Sequence, residues 1–285
     1  MTVFDFCKSF IFSNVYSPLV RGEIATGQNG LYGEPETEYR NASHWLNLAF
    51  HVIKNCKNSD KELLALNGFV EKCIALFHSE NIECGPFKAR ESSKDQSNGL
   101  IGSAWILEGL CRLSDLVEGD SKLKINKLIV KLSSHYDFDW KKNYWPSVVE
   151  PNGDVLSTDR TFNHQLWFAV SMYEAGIVTG TENSVAQSEA FFKNLKRNMA
   201  INRKGVVYHT IAAYPHYHRT LVKRILKPSY LKEMTIKEYG YHGFNLLAFA
   251  RLAQYDTVMG SIGRKYCERL VKVCEKDSFW GAQIG

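Results

Sequence analysis

Apolar residues recur every three or four positions along most of this chain, and strict alternation is rare, so the pattern predicts helices rather than strands. The spacing predicts helices near 3–12, 42–57, 60–79, 99–118, 121–136, 161–178, 183–199, 216–227, 237–255 and 260–277. Ser59 before "DKELL", Asp120 before "SKLKINKL" and Asn183 before "SVAQSEAFF" are of the types that satisfy a helix's first backbone N–H groups. Gly119, Gly176 and Gly180 read as helix stops.

Four of these helices resemble one another: "NASHWLNLAF" from 41, "NGLIGSAWILEGL" from 98, "NHQLWFAVSMYEAG" from 163 and "YHGFNLLAFARLA" from 241. The first three open with Asn and reach Trp45, Trp105 and Trp167, which recur about every 60 residues. More charged helices such as "KELLALNGFVEKCIALF" lie between them. Apolar helices alternating with charged ones predict helical hairpins stacked side by side, the apolar helices inside. The expected fold is an all-α, closed or incomplete α/α toroid in a single domain over 1–285, with an irregular helical bundle as the alternative.

In such a toroid every outer-to-inner connection emerges at one end. Those connections, 13–41, 80–98, 137–160 and 200–236, are the long ones, whereas "NSD" at 58–60 and "EGD" at 118–120 are short. Long loops gathered at one end are where binding groups are expected. "YWPSVV" and "DVLST" around "EPNGD" read as a β-hairpin on an Asn-Gly turn, and "GVVYHTIAAY" at 205–214 as a further short strand.

Composition narrows the class. The 45% hydrophobic and 23% charged shares are those of an ordinary soluble globular protein. The net charge of +5 suits an acidic substrate, but no Lys/Arg tract has the form of a nucleic-acid arm. Seven cysteines without a C-x-x-C predict reduced thiols rather than a disulfide framework. The N-terminus lacks the features of a signal peptide and no run reaches membrane-spanning length, so a cytoplasmic protein without membrane insertion is expected. His216 and His218 lack further ligands at metal-binding spacing, and no nucleotide or nucleophile-elbow motif occurs, so neither metal nor cofactor is expected.

The candidate chemistry gathers at helix entrances. Asn163 and His164 are costly groups to bury beside Trp167, which is explained if they point into a wet pocket. His44 before Trp45 and His242 before Phe244 occupy corresponding positions. Among the loop carboxylates Asp159 stands out, next to Arg160 and just ahead of His164. Trp140, Tyr144, Trp145, Tyr32 and Tyr39 are loop aromatics able to stack on sugar rings, or to pack the loops on the rim.

"FNHQLW" and "YGYHGFNLLAFARLA" resemble segments of the α/α-toroid carbohydrate-active enzymes, particularly the alginate-lyase-like polysaccharide lyases. The chain is also similar to toroid proteins of bacterial surface-polysaccharide clusters. The resemblance implies that Asn163 neutralises a uronate carboxylate and that His164 abstracts a proton, or stabilises charge, at C5. Phe244 stands where that family has its catalytic tyrosine, so Tyr239 or Tyr241 must supply the phenol. Lys237 stands where a basic Arg is expected. Elimination needs a held carboxylate, a base and a proton donor for the leaving oxygen, and Asn163, His164, Arg160 and Tyr241 can fill those roles. The expected partner is therefore a uronate-containing oligo- or polysaccharide, with His44, Trp140, Trp145, Tyr39 and His242 binding it. Two alternatives stay open: hydrolysis by Asp159 with Glu150 or Asp139, and a non-catalytic sugar-binding or scaffold toroid.

Overall fold

A computed structural model describes residues 8–9, 27–29, 34–35, 38–78, 99–146 and 158–275. Apart from a two-residue antiparallel pairing of β1 (Gln28–Asn29) with β2 (Glu34–Pro35), the named elements are all helices. They are α1 (Glu38–Asn55), α2 (Asp60–His78), α3 (Gly99–Leu116), α4 (Gly119–Ser133), α5 (Phe162–Thr179), α6 (Glu182–Lys193), α7 (Leu195–Asn198), α8 (Tyr217–Leu226), α9 (Pro228–Ala253) and α10 (Val258–Cys274). None of the described helices is long and apolar enough to cross a membrane. The described residues divide into two compact units, one of those up to Tyr136 with Glu174–Thr181, the other of residues 137–146, 158–173 and 182–275.

In the first unit α1 packs on α3, and α3 on α4. The α1–α3 approach is close because Gly109 has no side chain: a Cβ there would lie 2.6 Å from the Ser43 backbone. Leu46, Val52, Leu66, Phe69, Leu107, Leu110 and Ile129 fill the core. Arg112 and Glu174, both buried, form an ion pair, Arg112 donating at 3.1 Å. The Ser59 start is a reciprocal cap: Ser59 N donates to Glu62 Oε2 at 2.7 Å and Glu62 N to Ser59 Oγ at 3.4 Å.

The second unit holds the pairing of α9 with α10. Gly263 lets the two backbones meet, since a Cβ there would fall 2.5 Å from Ala253 N. Thr257 caps α10 by accepting from Gly260 N.

Several boundaries differ from the sequence expectation. Asp120 and Asn183 lie inside the first turns of α4 and α6 rather than capping them, the N-cap of α4 being Glu118 without a side-chain bond. Gly119 opens α4 at φ +58° instead of closing α3, and Gly176 lies within α5; Gly180, at φ +72°, does end it. The expected helix from 237 begins at Pro228, whose fixed φ suits a first helical position, and runs unbroken for 26 residues. The 205–214 segment forms isolated bridges, Ile201 with Val207 and Thr161 with Thr210, rather than a strand. The expected helix over 3–12 apart from residues 8–9, Tyr32, Glu150 and nearly all of the expected hairpin between 144 and 158 lie outside the described residues.

Candidate functional site

The entrance to α5 is built around Asp159. Its carboxylate caps the turn by accepting from Thr161 N at 3.0 Å through Oδ1, and through Oδ2 it accepts from His164 Nδ1 at 2.7 Å. The Asp159 carbonyl accepts from Gln165 Nε2, which also bonds the Trp145 carbonyl, while Trp145 N donates back to Gln165 Oε1. One fully buried amide thus ties the entrance of α5 to the 139–146 turn. Asp159 is 8% exposed, whereas His164 keeps partial access to solvent. Asn163 is buried, and its Oδ1 has no partner among the described residues. Such an atom normally finds a protein group, water or ligand.

A second histidine joins this entrance from a distant part of the chain. Phe162 N donates to the His209 carbonyl at 2.7 Å, and Ile211 N to the Arg160 carbonyl at 2.8 Å. The 209–211 backbone therefore runs antiparallel to 160–162. His209 N donates to Glu238 Oε1 at 2.9 Å, and Glu238 is itself held by the buried Arg224. The His209 ring stacks on Tyr241, with centroids 5.1 Å apart and planes 16° from parallel. Burial, then the His164 and Lys237 charges, push its pKa down to about 4, although the Asp159 charge acts the other way. His209 is therefore neutral near pH 7, and its Nδ1 has no hydrogen-bond partner among the described residues.

His209, Arg160 and Thr161 line a cavity of about 560 Å³, whose lining does not include Asn163, His164 or Tyr241. Its walls include Arg160, His209, Tyr214, His216, Arg219 and Lys223, with Thr161, Thr210 and Thr220, and no carboxylate among the described residues. Arg160 holds its guanidinium 5.5 Å from the Tyr214 ring centroid, and the Lys223 ammonium sits 4.0 Å from that of Tyr230. The site is positive and rich in donors.

The sequence-predicted residues divide sharply. Asp159, Arg160, Asn163, His164 and Tyr241 fall in the second unit around this entrance. Trp145 does not serve as a sugar platform: it is fully buried against Phe138, Phe168 and Phe191. His242 is not at a helix entrance, because α9 starts much earlier. It is fully buried, with Nε2 at 3.2 Å from the Leu270 carbonyl, and burial lowers its pKa. Tyr39 belongs to the first turn of α1, its ring 5.8 Å from that of Phe77, rather than to a loop. His44 is exposed on the first unit, edge-on to Trp105. Trp140 is 55% exposed. Asp139 closes its own turn by accepting from Lys141 N and Lys142 N. Sequence reasoning missed His209, Arg224 and Glu238. Among the described residues no group of three His, Cys, Asp or Glu is set to hold a metal ion.

No family model matches the chain, and no solved structure matches it. It is 28% identical over 254 residues to archaeal glycosylation protein Q of Haloferax volcanii. That alignment covers 82% of this chain, which spans 65% of the length of that relative.

Proposed function

We propose that this protein is a carbohydrate-active enzyme acting on a uronate-bearing glycan by β-elimination, within the making or processing of a polysaccharide or protein-linked glycan. The observation that carries the reading is the Asp159–His164 pair, next in the chain to Arg160 and Thr161, which line a cavity with Arg219 and Lys223 and, among the described residues, no acid. The name of the Haloferax relative, a glycosylation protein, supports the carbohydrate class. The stacked inner and outer helices of an α/α toroid remain part of the same proposal.

In the proposed reaction His164, oriented by Asp159, takes the C5 proton of the uronate. Arg160 and Asn163 hold the carboxylate as charge moves into it. The C4–oxygen bond then breaks, a C4=C5 double bond forms, and the Tyr241 hydroxyl returns a proton to the leaving oxygen. His209, neutral and stacked on Tyr241, keeps a second uncharged imidazole close to that phenol. The hydrolytic alternative draws less support, since Asp159 is committed to His164 and Asp139 to its own turn.

The test is incubation with a panel of uronate-containing polysaccharides and oligosaccharides. Ultraviolet absorbance of unsaturated uronate should rise together with new reducing ends. Reducing ends without that absorbance would mean hydrolysis.

A further inference from the structure

The cavity carries more positive charge than one uronate carboxylate requires. Arg160, Arg219 and Lys223 are permanent cations on its wall, and among the described residues none of them forms an ion pair with a carboxylate. The described acids near them are engaged elsewhere. Glu233, which feels the Lys223 charge, bonds Lys237 at 2.7 Å; Asp159 bonds His164; Glu238 bonds Arg224. Three like charges on one partly open wall create a positive potential that draws an anion in more strongly than any one of them does. Threonine hydroxyls at 161, 210 and 220 add neutral donors to the same wall.

We propose that the cavity binds a sugar through a phosphate group, so that the natural substrate is a glycosyl phosphate or diphosphate and not only a free uronate glycan. This rests on the uronate reading for the sugar and on the charge of the cavity for the phosphate. A phosphate monoester carries close to two negative charges and three strong acceptors, which Arg219 and Lys223 on one face of α8 can meet while Arg160 holds the uronate carboxylate. The volume of about 560 Å³ is on the scale of a small-molecule site and suits a short phosphorylated sugar.

Isothermal titration calorimetry on the whole protein tests this, with glucuronic acid, glucuronic acid 1-phosphate and inorganic phosphate as probes. The 1-phosphate should bind about 10- to 100-fold tighter than glucuronic acid, the worth of one or two charge-assisted hydrogen bonds. Inorganic phosphate should compete, and added salt should shrink the advantage. An Arg219→Ala/Lys223→Ala double variant should lose it while keeping the parent circular dichroism, because both side chains are exposed. The single variants Arg219→Gln and Lys223→Gln give the same reading if the double variant folds poorly. Equal affinity for glucuronic acid and its 1-phosphate, no binding of the 1-phosphate at millimolar concentration, or an advantage that survives the substitutions would overturn the proposal. None of these results touches elimination on uronate polymers, which the panel assay reads separately.

Discussion

Nδ1 of His164 lies 2.7 Å from Oδ2 of Asp159, five residues earlier at the entrance of the same helix. An ionised carboxylate can only accept, so Nδ1 carries the proton and Nε2 is left as the basic nitrogen. The other Asp159 oxygen caps the turn, so one side chain both starts α5 and sets the tautomer of its histidine.

Asp159→Asn separates those two tasks. The amide oxygen can still cap Thr161, but an amide N–H turned toward Nδ1 favours the opposite tautomer. Turnover should fall about 10²–10⁴-fold with little change in circular dichroism or melting temperature. Asp159→Ala should in addition cost about 1 kcal/mol in urea unfolding, the usual worth of a lost cap.

His209 should make stability depend on pH. Its ordinary pKa of 6.5 falls to about 4 in the folded protein. Between those values the unfolded chain binds more protons than the folded one, so stability drops as pH falls through this window and levels off below it. The contribution is on the order of 3 kcal/mol. Urea unfolding of wild type and His209→Gln across the window measures it. The wild-type curve should steepen relative to the variant toward acid, and parallel curves would show that burial of the neutral imidazole is not the cause.

Glu238 holds two things at once, the buried Arg224 guanidinium and the His209 backbone N–H. Glu238→Ala should destabilise the protein by about 3–5 kcal/mol, because Arg224 is then buried without its counter-charge. Glu238→Gln should cost less, since it can still accept from His209 N. Urea denaturation followed by tryptophan fluorescence distinguishes the two. A loss below about 1 kcal/mol in the alanine variant would contradict the account of this pair.

The periodicity of apolar positions made the helices legible, and the Ser59–Glu62 cap could be read from four residues. That Asp159, Arg160, Asn163 and His164 gather at the start of α5 was also legible, because polar residues at the mouth of an apolar helix need a reason. His242 misled because "YGYHGFN" has the look of a helix entrance, while the real start is Pro228 and the intervening polar residues are compatible with a continuous helix. Trp145 misled because an irregular segment was equated with surface, whereas Gln165 draws its backbone into the core. His209 carried no local signal. Its position depends on hydrogen bonds to Phe162 and Glu238, 47 and 29 residues away, which no short window contains.

The most direct measurement is the rate of unsaturated-uronate formation by wild type and His164→Ala on the best substrate of the panel. Removing a base held by Asp159 should lower that rate about 10²–10⁴-fold, while the melting temperature stays near that of the parent. His164→Gln, which keeps a hydrogen-bonding group but cannot titrate near neutral pH, should be as inactive. A folded His164→Ala protein that forms unsaturated product at the wild-type rate would contradict the account.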